Sequence, residues 1–279
     1  GPTPSSSATP SAESIAVLPF VDLTGDERND FFGEGIAEDL LNGLVKVPNL
    51  FVISRGSSFQ FTDPDQDIGE IGRTLGVRHV VSGTVRRADG RVRITAHLTQ
   101  AESGQRIWSD AMDREMTDLF AVQDGITQAV LAQLKTHLIP VPRRVVDPAA
   151  YEAFLLGRYF NQHNRPQELQ RQQFLEAVRI QPDFAAAYGA LAWTYLDEVN
   201  RGRRDPTEGY RLATQHFERG LQLDPQQAES VIAKGVVDAL THHDYQAALD
   251  ALAVGLRSDP TSARVHFIYS AFLQLAGKR

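Results

Sequence analysis

Residues 80–98 read VVSGTVRRADGRVRITAHL, two alternating runs on either side of Asp89-Gly90. Both residues of such a two-residue turn take positive φ, which Asp and Gly tolerate, so the pair predicts a hairpin of fixed register. Val85 then faces Ile94, Gly83 faces Ala96 and Val81 faces Leu98 on a buried side. The other side pairs Arg86 with Arg93, Thr84 with Thr95 and Ser82 with His97. Two arginines directly opposed repel unless an anion or a carboxylate joins them. A third strand, Arg106 to Met112, is expected after a turn at Ser103-Gly104, and it sets Trp108 opposite His97 on the polar side, beside Arg93. The plainer alternative buries Trp108 under a loop or helix.

Outward from the hairpin, strands and helices alternate. Ile15–Phe20 is an apolar strand, and Ile36, Leu40, Leu41, Leu44 and Val45 recur at helical spacing across Phe31 to Val47. Pro48 stops that helix, and Leu50 to Ser54 reads as a short strand. Asp67 to Leu75 is a helix closed by Gly76, and Leu119 to Leu134 aligns Val122, Ile126, Val130 and Leu134. The strand before Gly33-Glu34-Gly35 looks like the start of a nucleotide-binding unit, but its glycines come too late to form the turn. Asp22 to Asp39 also holds seven carboxylates against Arg28 alone, so a phosphate there meets like charge. No Lys follows the glycines as a phosphate loop requires. Nucleotide binding is therefore not expected, and the acids read as side chains favoured near a helix N-terminus.

The segments IAVLPF, FFGEGIAEDLLNGL, FVISRGSSFQF, DIGEIGRTLGVRHVVSGTVRRADGRVRITAHL and DLFAVQDGITQAVLAQL together resemble the TolB-like amino-terminal domain of bacterial signalling proteins over about residues 15–135. The resemblance implies an α/β domain with a mixed sheet and no nucleotide at FFGEGIAEDL.

The second half repeats a phrase. FLEAVRIQPDFAAAYGALAWTY, FERGLQLDPQQAESVIAKGVV and ALAVGLRSDPTSARVHFIYSAF share a proline after a helix, at Pro182, Pro225 and Pro260. Their spacings of 43 and 35 residues sit beside the period of about 34 of tetratricopeptide (TPR) repeats. The longer interval fits an insertion at NRGRRDPTEG, between the two helices of one repeat. Gly157, Ala192 and Gly235 match the small position where paired helices approach, and Ala177, Gly220 and Gly255 match the second-helix small position. Tyr188, Leu191 and Tyr195 fit the large positions of the middle repeat, whereas Lys234 and Asp238 depart from the pattern. The expected fold is thus an α/β domain followed by an all-α helical-repeat solenoid. Residues 1–14 are a Pro/Ser-rich linker, 15–137 the α/β domain, 138–147 a connector and 148–279 three repeats with a terminal helix. The connector's prolines and apolar residues predict that the two domains move as one semi-rigid unit.

Composition excludes several classes. The 279 residues are 42% hydrophobic and 23% charged, with a net charge of −7 and no cysteine, so disulfides and thiolate chemistry are out. No apolar run approaches the roughly 20 residues of a membrane span, and neither half has the basic excess of a nucleic-acid binder. His242-His243-Asp244 falls in a turn where polar residues are the default, and Ser57 and Ser58 lack a nucleophile elbow. No catalytic residue, cofactor or metal site is expected.

Two classes of function remain. TolB-like and TPR halves together resemble the sensor regions of winged-helix regulators of the CadC type, of receptor-like serine/threonine kinases and of class III nucleotide cyclases. The first two imply a non-catalytic module on a membrane tether, in the periplasm, that binds a protein or peptide. The cyclase alternative implies a cytoplasmic regulatory or scaffold region, and a hydrolase has no motif to support it. The TPR resemblance carries groove positions onto Tyr151, Phe154, Arg158, Asn161 and Gln162, then Trp193 and Asp197, then Glu229, Ile232 and Val236, with Arg264 and Phe267 on the terminal helix. Phe154 and Trp193 beside Arg158 and Asp197 have the composition of a binding hot spot, with packing against the first domain as the alternative. The face of Arg86, Arg91 and Arg93 is expected to meet acidic surface, from residues 22–39 or from a second copy in a homodimer.

Overall fold

A computed structural model describes residues 14–24, 30–63, 66–116, 119–134, 146–258 and 263–277. The chain divides into two compact units, Gly1–Arg144 and Val145–Arg279.

The first unit is a mixed sheet flanked by helices. Strand β1 (Ser14–Val17) is buried along its whole length, because parallel neighbours lie on both sides and helices on both faces. The short β2 (Val21–Asp22) continues its line. Helix α1 (Asp30–Val45), strand β3 (Phe51–Val52), a single turn α2 (Arg55–Ser58) and helix α3 (Ile68–Leu75) follow. Strands β4 (His79–Ala88), β5 (Arg91–Gln100) and β6 (Gln105–Glu115) then form an antiparallel meander, and helix α4 (Leu119–Gln133) comes last. The sheet order is β3-β1-β4-β5-β6, with β2 beside β4.

Asp89 and Gly90 take φ of 51° and 72°, and the β4–β5 register follows from them: Val85 opposite Ile94, Gly83 opposite Ala96, Val81 opposite Leu98. Alternation sends Ala16, Leu18 and Val80 to one face, where Ile71 of α3 and Ala101 close a core with Val77. Asp67 caps α3, accepting from the Gly69 N–H at 2.8 Å, and Gly76 ends it at φ 66°. The opposite face carries Val81, Val85 and Ile94 toward α1 and α4. Gly33 and Gly35 lie inside α1, past the turn after β1. A Cβ on Gly33 would collide with the Phe20 carbonyl oxygen. The glycine is therefore required where α1 packs closely on the segment between β1 and β2. At the sheet's ends, β3 has two residues, whereas β6 has eleven, mostly exposed, and among the described residues pairs with β5 alone.

The second unit is a run of helices: α5 (Pro148–Gln162), α6 (Gln167–Ile180), α7 (Ala185–Asn200), α8 (Pro206–Leu223), α9 (Ala228–His242), α10 (Tyr245–Ser258) and α11 (Ala263–Leu275). They pack in consecutive pairs, α5 on α6, α7 on α8 and α9 on α10. Small residues set the approach within pairs: Gly157 faces the Phe174 ring and Gly235 faces Ala251. Pro182 and Pro225 fall in the turns between pairs; Pro260 and residues 138–145 of the connector lie outside the described residues.

One buried carboxylate ties three segments together. Glu198 of α7 is 4% exposed. It takes Arg171 of α6 on one oxygen and the Arg204 Nε at 2.6 Å on the other. Arg204 belongs to the inserted loop before α8, so the loop is held from beneath. The His216 ring of α8 stacks on Tyr195 of α7, with centroids 5.3 Å apart, and the Arg204 guanidinium stands 5.1 Å from the same Tyr195 ring. Burial there lowers the His216 pKa to about 4.

Three outcomes are expected from this packing. Gly33→Ala gains about 1 kcal/mol of helix propensity but forces α1 off the Phe20 backbone that follows β1, so chemical unfolding should show a net loss of about 2 kcal/mol. Glu198→Ala strands two guanidinium groups and should cost about 3 kcal/mol, with Glu198→Gln costing less. His216 is neutral in both states above its unfolded pKa of about 6.5. As pH falls from there toward 4, the unfolded chain alone takes the proton, so stability drops. The drop is about 2 kcal/mol once the part of the ring that water reaches is discounted. Unfolding curves at pH 7 and pH 4.5 should show a larger drop in the wild type than in His216→Phe, which keeps only the part due to carboxylates such as Asp113.

Candidate functional site

Two helix ends in the second unit are built alike. Helix α5 ends with Asn164 at φ 50°, and α7 ends with Gly202 at φ 66°. In α5 the Arg165 N–H reaches back to the Phe160 carbonyl at 2.9 Å, and the Asn164 N–H reaches that of Asn161. In α7 the Arg203 N–H reaches the Glu198 carbonyl at 2.8 Å, and the Gly202 N–H reaches that of Val199. Both are Schellman ends, which need a left-handed residue where the chain turns away. Arg165 and Arg203 thus occupy the same position in successive helix pairs.

Between these ends lies a polar cavity of about 680 Å³, bordered also by the start of α6. It is lined by five arginines and three carboxylates. Glu198 holds Arg171 and Arg204, Glu168 holds Arg171 as well, and Asp197 holds Arg201 at 2.7 Å and the Gln167 amide. The hydrogen bond to Glu198 raises the Arg204 pKa above its usual value. Arg203 donates to the neutral Gln167 oxygen at 2.8 Å. The cavity's chemistry is that of oriented guanidinium groups in a fixed frame.

The residues carried over as groove positions separate into two sets. Tyr151, Phe154, Ile232 and Val236 are buried. Phe154 packs between Phe174 at 5.8 Å and Phe184 at 5.0 Å between ring centroids, inside the helical unit. These four are core residues, because pairing of the helices turns that stripe inward. Arg158, with its guanidinium 5.5 Å from the Phe154 ring, and Asn161, Gln162, Trp193 and Asp197 are partly accessible. Glu229 is exposed and takes a hydrogen bond from Gln227, and Phe267 is 76% exposed. The Arg264 side chain lies outside the described residues. Asn161 and Asp197 alone of the set border the polar cavity. Its other members were missed: Asn164, Arg165, Pro166, Arg201, Arg203 and Arg204 sit in turns, where the signal is the recurrence of Arg after NQHN and after VNRG, and the rest lie in α6 and α7 outside the groove positions.

On the sheet, the arginine face finds its counter-charge on the next strand. Asp113 of β6 binds Arg91 and Arg93, both at 2.8 Å, and these contacts hold its carboxyl below the usual carboxylate range. Neither the acidic run nor a second copy is needed. Glu34 and Glu38 of that run meet Arg55 instead, at 2.9 and 3.3 Å, and Arg86 is exposed. Trp108 pairs with Leu98, not with His97, because the β5–β6 register shifts between Leu98 and Thr99. His97 faces Ser109, with Nδ1 and Oγ 2.9 Å apart, and burial followed by the charge of Arg106 lowers its pKa. Among the described residues no cluster of His, Asp and Glu is arranged for a metal ion, and no helix is long and apolar enough to cross a membrane.

No family profile matches the chain. A curated protein of Rhizobium meliloti (strain 1021), described as "Putative adenylate cyclase 3", is 38% identical over 201 residues. The match takes in 69% of this chain and 34% of the relative, so the chain spans about a third of that protein's length. Among solved structures, TolB from Acinetobacter baumannii aligns with 44% of this chain and 28% of its own, at 14% identity and a TM-score of 0.34. Lipoprotein GNA1162 from Neisseria meningitidis aligns with 45% of this chain and 99% of its own, at 17% identity and a TM-score of 0.33. At such scores neither carries an argument about this chain. The cyclase relative corrects two expectations drawn from the sequence. The reading as a non-catalytic sensor of a transcription regulator or kinase gives way to the cyclase alternative, and the expectation of no enzymatic role gives way with it.

Proposed function

We propose that the chain is a cytoplasmic regulatory and scaffold region of a class III nucleotide cyclase, a protein that converts ATP to cyclic AMP and pyrophosphate. The observation that carries this reading is the 38% identity, over 201 residues, to a protein described as an adenylate cyclase. Within it we read the first unit as TolB-like and the second as a TPR array of three helix pairs with a closing helix. Helix pairing, the small residues at Gly157 and Gly235 and the prolines after α6 and α8 support the second assignment. The array's accessible positions, Arg158, Trp193, Asp197, Glu229 and Phe267, offer polar and aromatic contacts to a protein or peptide segment.

The test uses the full-length gene product. Purified protein with magnesium or manganese should form cyclic AMP and pyrophosphate from ATP in equal amounts, and deleting residues 15–279 should change the rate or its response to added factors. Absence of cyclic AMP from the intact protein under both metals would overturn the cyclase reading. Unchanged kinetics after the deletion would overturn the regulatory role.

A further inference from the structure

We propose that the cavity between the ends of α5 and α7 is a binding site for a small oxyanion ligand, one bearing phosphate or carboxylate groups, held by Arg165 and Arg203. The site lies at the turns within the helix pairs and involves none of the accessible aromatic groove positions. It stands whether or not the whole protein is a cyclase.

Three observations converge on it. First, the cavity's charges do not balance. Its carboxylates, Glu168, Asp197 and Glu198, are engaged by Arg171, Arg201 and Arg204. That leaves Arg165 and Arg203 in excess among the five arginines of the lining. Arg203 meets only the Gln167 amide oxygen, and Arg165 has no carboxylate among the described residues. Second, equivalent helix ends set the backbones of both arginines, so the packing of α5 on α6 and α6 on α7 fixes where their exposed side chains start, at the rim of the cavity. Guanidinium forks suit planar or tetrahedral oxyanions, which they bind through paired hydrogen bonds; that of Arg203 is held by the Gln167 oxygen. Third, the start of α6 opens into the same cavity. Its N-cap is Pro166, which supplies no side-chain cap, whereas α5 and α8 are capped by Asp147 and Asp205. Uncapped N–H groups at a helix start add donors and a favourable dipole for an anion.

The occupant is small. A space of about 680 Å³ falls within the range of small-molecule sites, roughly 300–1,000 Å³. Gln167 and Gln170, both more than nine-tenths buried, and Glu198 below them fix its floor. The third helix pair lacks an equivalent arginine, since α9 ends in His242-His243-Asp244, so one site per chain is expected.

The experiment titrates the full chain at low ionic strength with inorganic phosphate, pyrophosphate and citrate by calorimetry. We expect one ligand per chain, with pyrophosphate or citrate tighter than phosphate. Binding of the phosphates alone identifies a phosphoryl ligand, and binding of citrate alone a carboxylate ligand; both outcomes support the site. R165Q/R203Q should weaken binding at least about tenfold, whereas R86Q/R106Q, of equal charge change on the sheet unit, should leave it unaltered. No heat with any of the three anions, or equal binding by R165Q/R203Q, would overturn the proposal. Should that variant fail to fold, arginine modification of the wild type by phenylglyoxal decides the matter. Pyrophosphate should protect Arg165 and Arg203 selectively, and equal labelling with and without it would count against the site.

Discussion

The helical unit turns on a single carboxylate that water scarcely reaches. An ionised Glu198 away from solvent is tolerable only because two guanidinium groups meet its two oxygens. Those groups come from α6 and from the inserted loop, so satisfying one charge fixes the placement of both. The long loop between α7 and α8 is thereby made part of the packed structure instead of a solvated excursion. Its Arg201 and Arg203 then stand beside the end of α5, and the polar cavity is the space that remains.

The sheet obeys a different constraint, the register of one hairpin. Once Asp89-Gly90 sets β4 against β5, every inward side chain of both strands follows, and helices α1 and α4 can only cover the apolar face. The opposite face is covered by α3 around Val80 and, toward the Asp89-Gly90 turn, becomes a polar surface on which Asp113 ties down Arg91 and Arg93. Exposed pairs of this kind add little stability, but they settle which charges are free to meet a partner. Arg91 and Arg93 are not; Arg165 and Arg203 are.

What was legible in the sequence was local chemistry. The hairpin register, the capped helix from Asp67 to Gly76 and the pairing of helices at Gly157 and Gly235 all rest on residues whose backbone or size demands are met by near neighbours. The placement of Trp108 was not legible, because an irregularity after Leu98 costs the sequence no visible signal yet moves every later residue by one. The burial of Tyr151, Phe154, Ile232 and Val236 was hidden for another reason: a repeat template gives position along a helix but not how deeply each neighbouring helix seats. The polar cavity depends on two turns 38 positions apart, Arg165 and Arg203, which only the folded backbone brings together.

The sheet's two ends are unequal, and that inequality limits how copies can add to one another. Strand β3 offers two residues of edge, too few to template an incoming strand, whereas β6 offers eleven. Indefinite strand-by-strand growth needs a receptive edge at both ends of each subunit, one to give and one to take. A sheet with one such edge supports only a self-matching encounter, β6 on β6, which closes after two copies. The alternating charges of Arg106, Asp110, Asp113, Arg114 and Glu115 tax even that encounter. Among the described residues the asymmetry leaves no second long edge for such growth, at no cost to the length of the strand that carries Asp113.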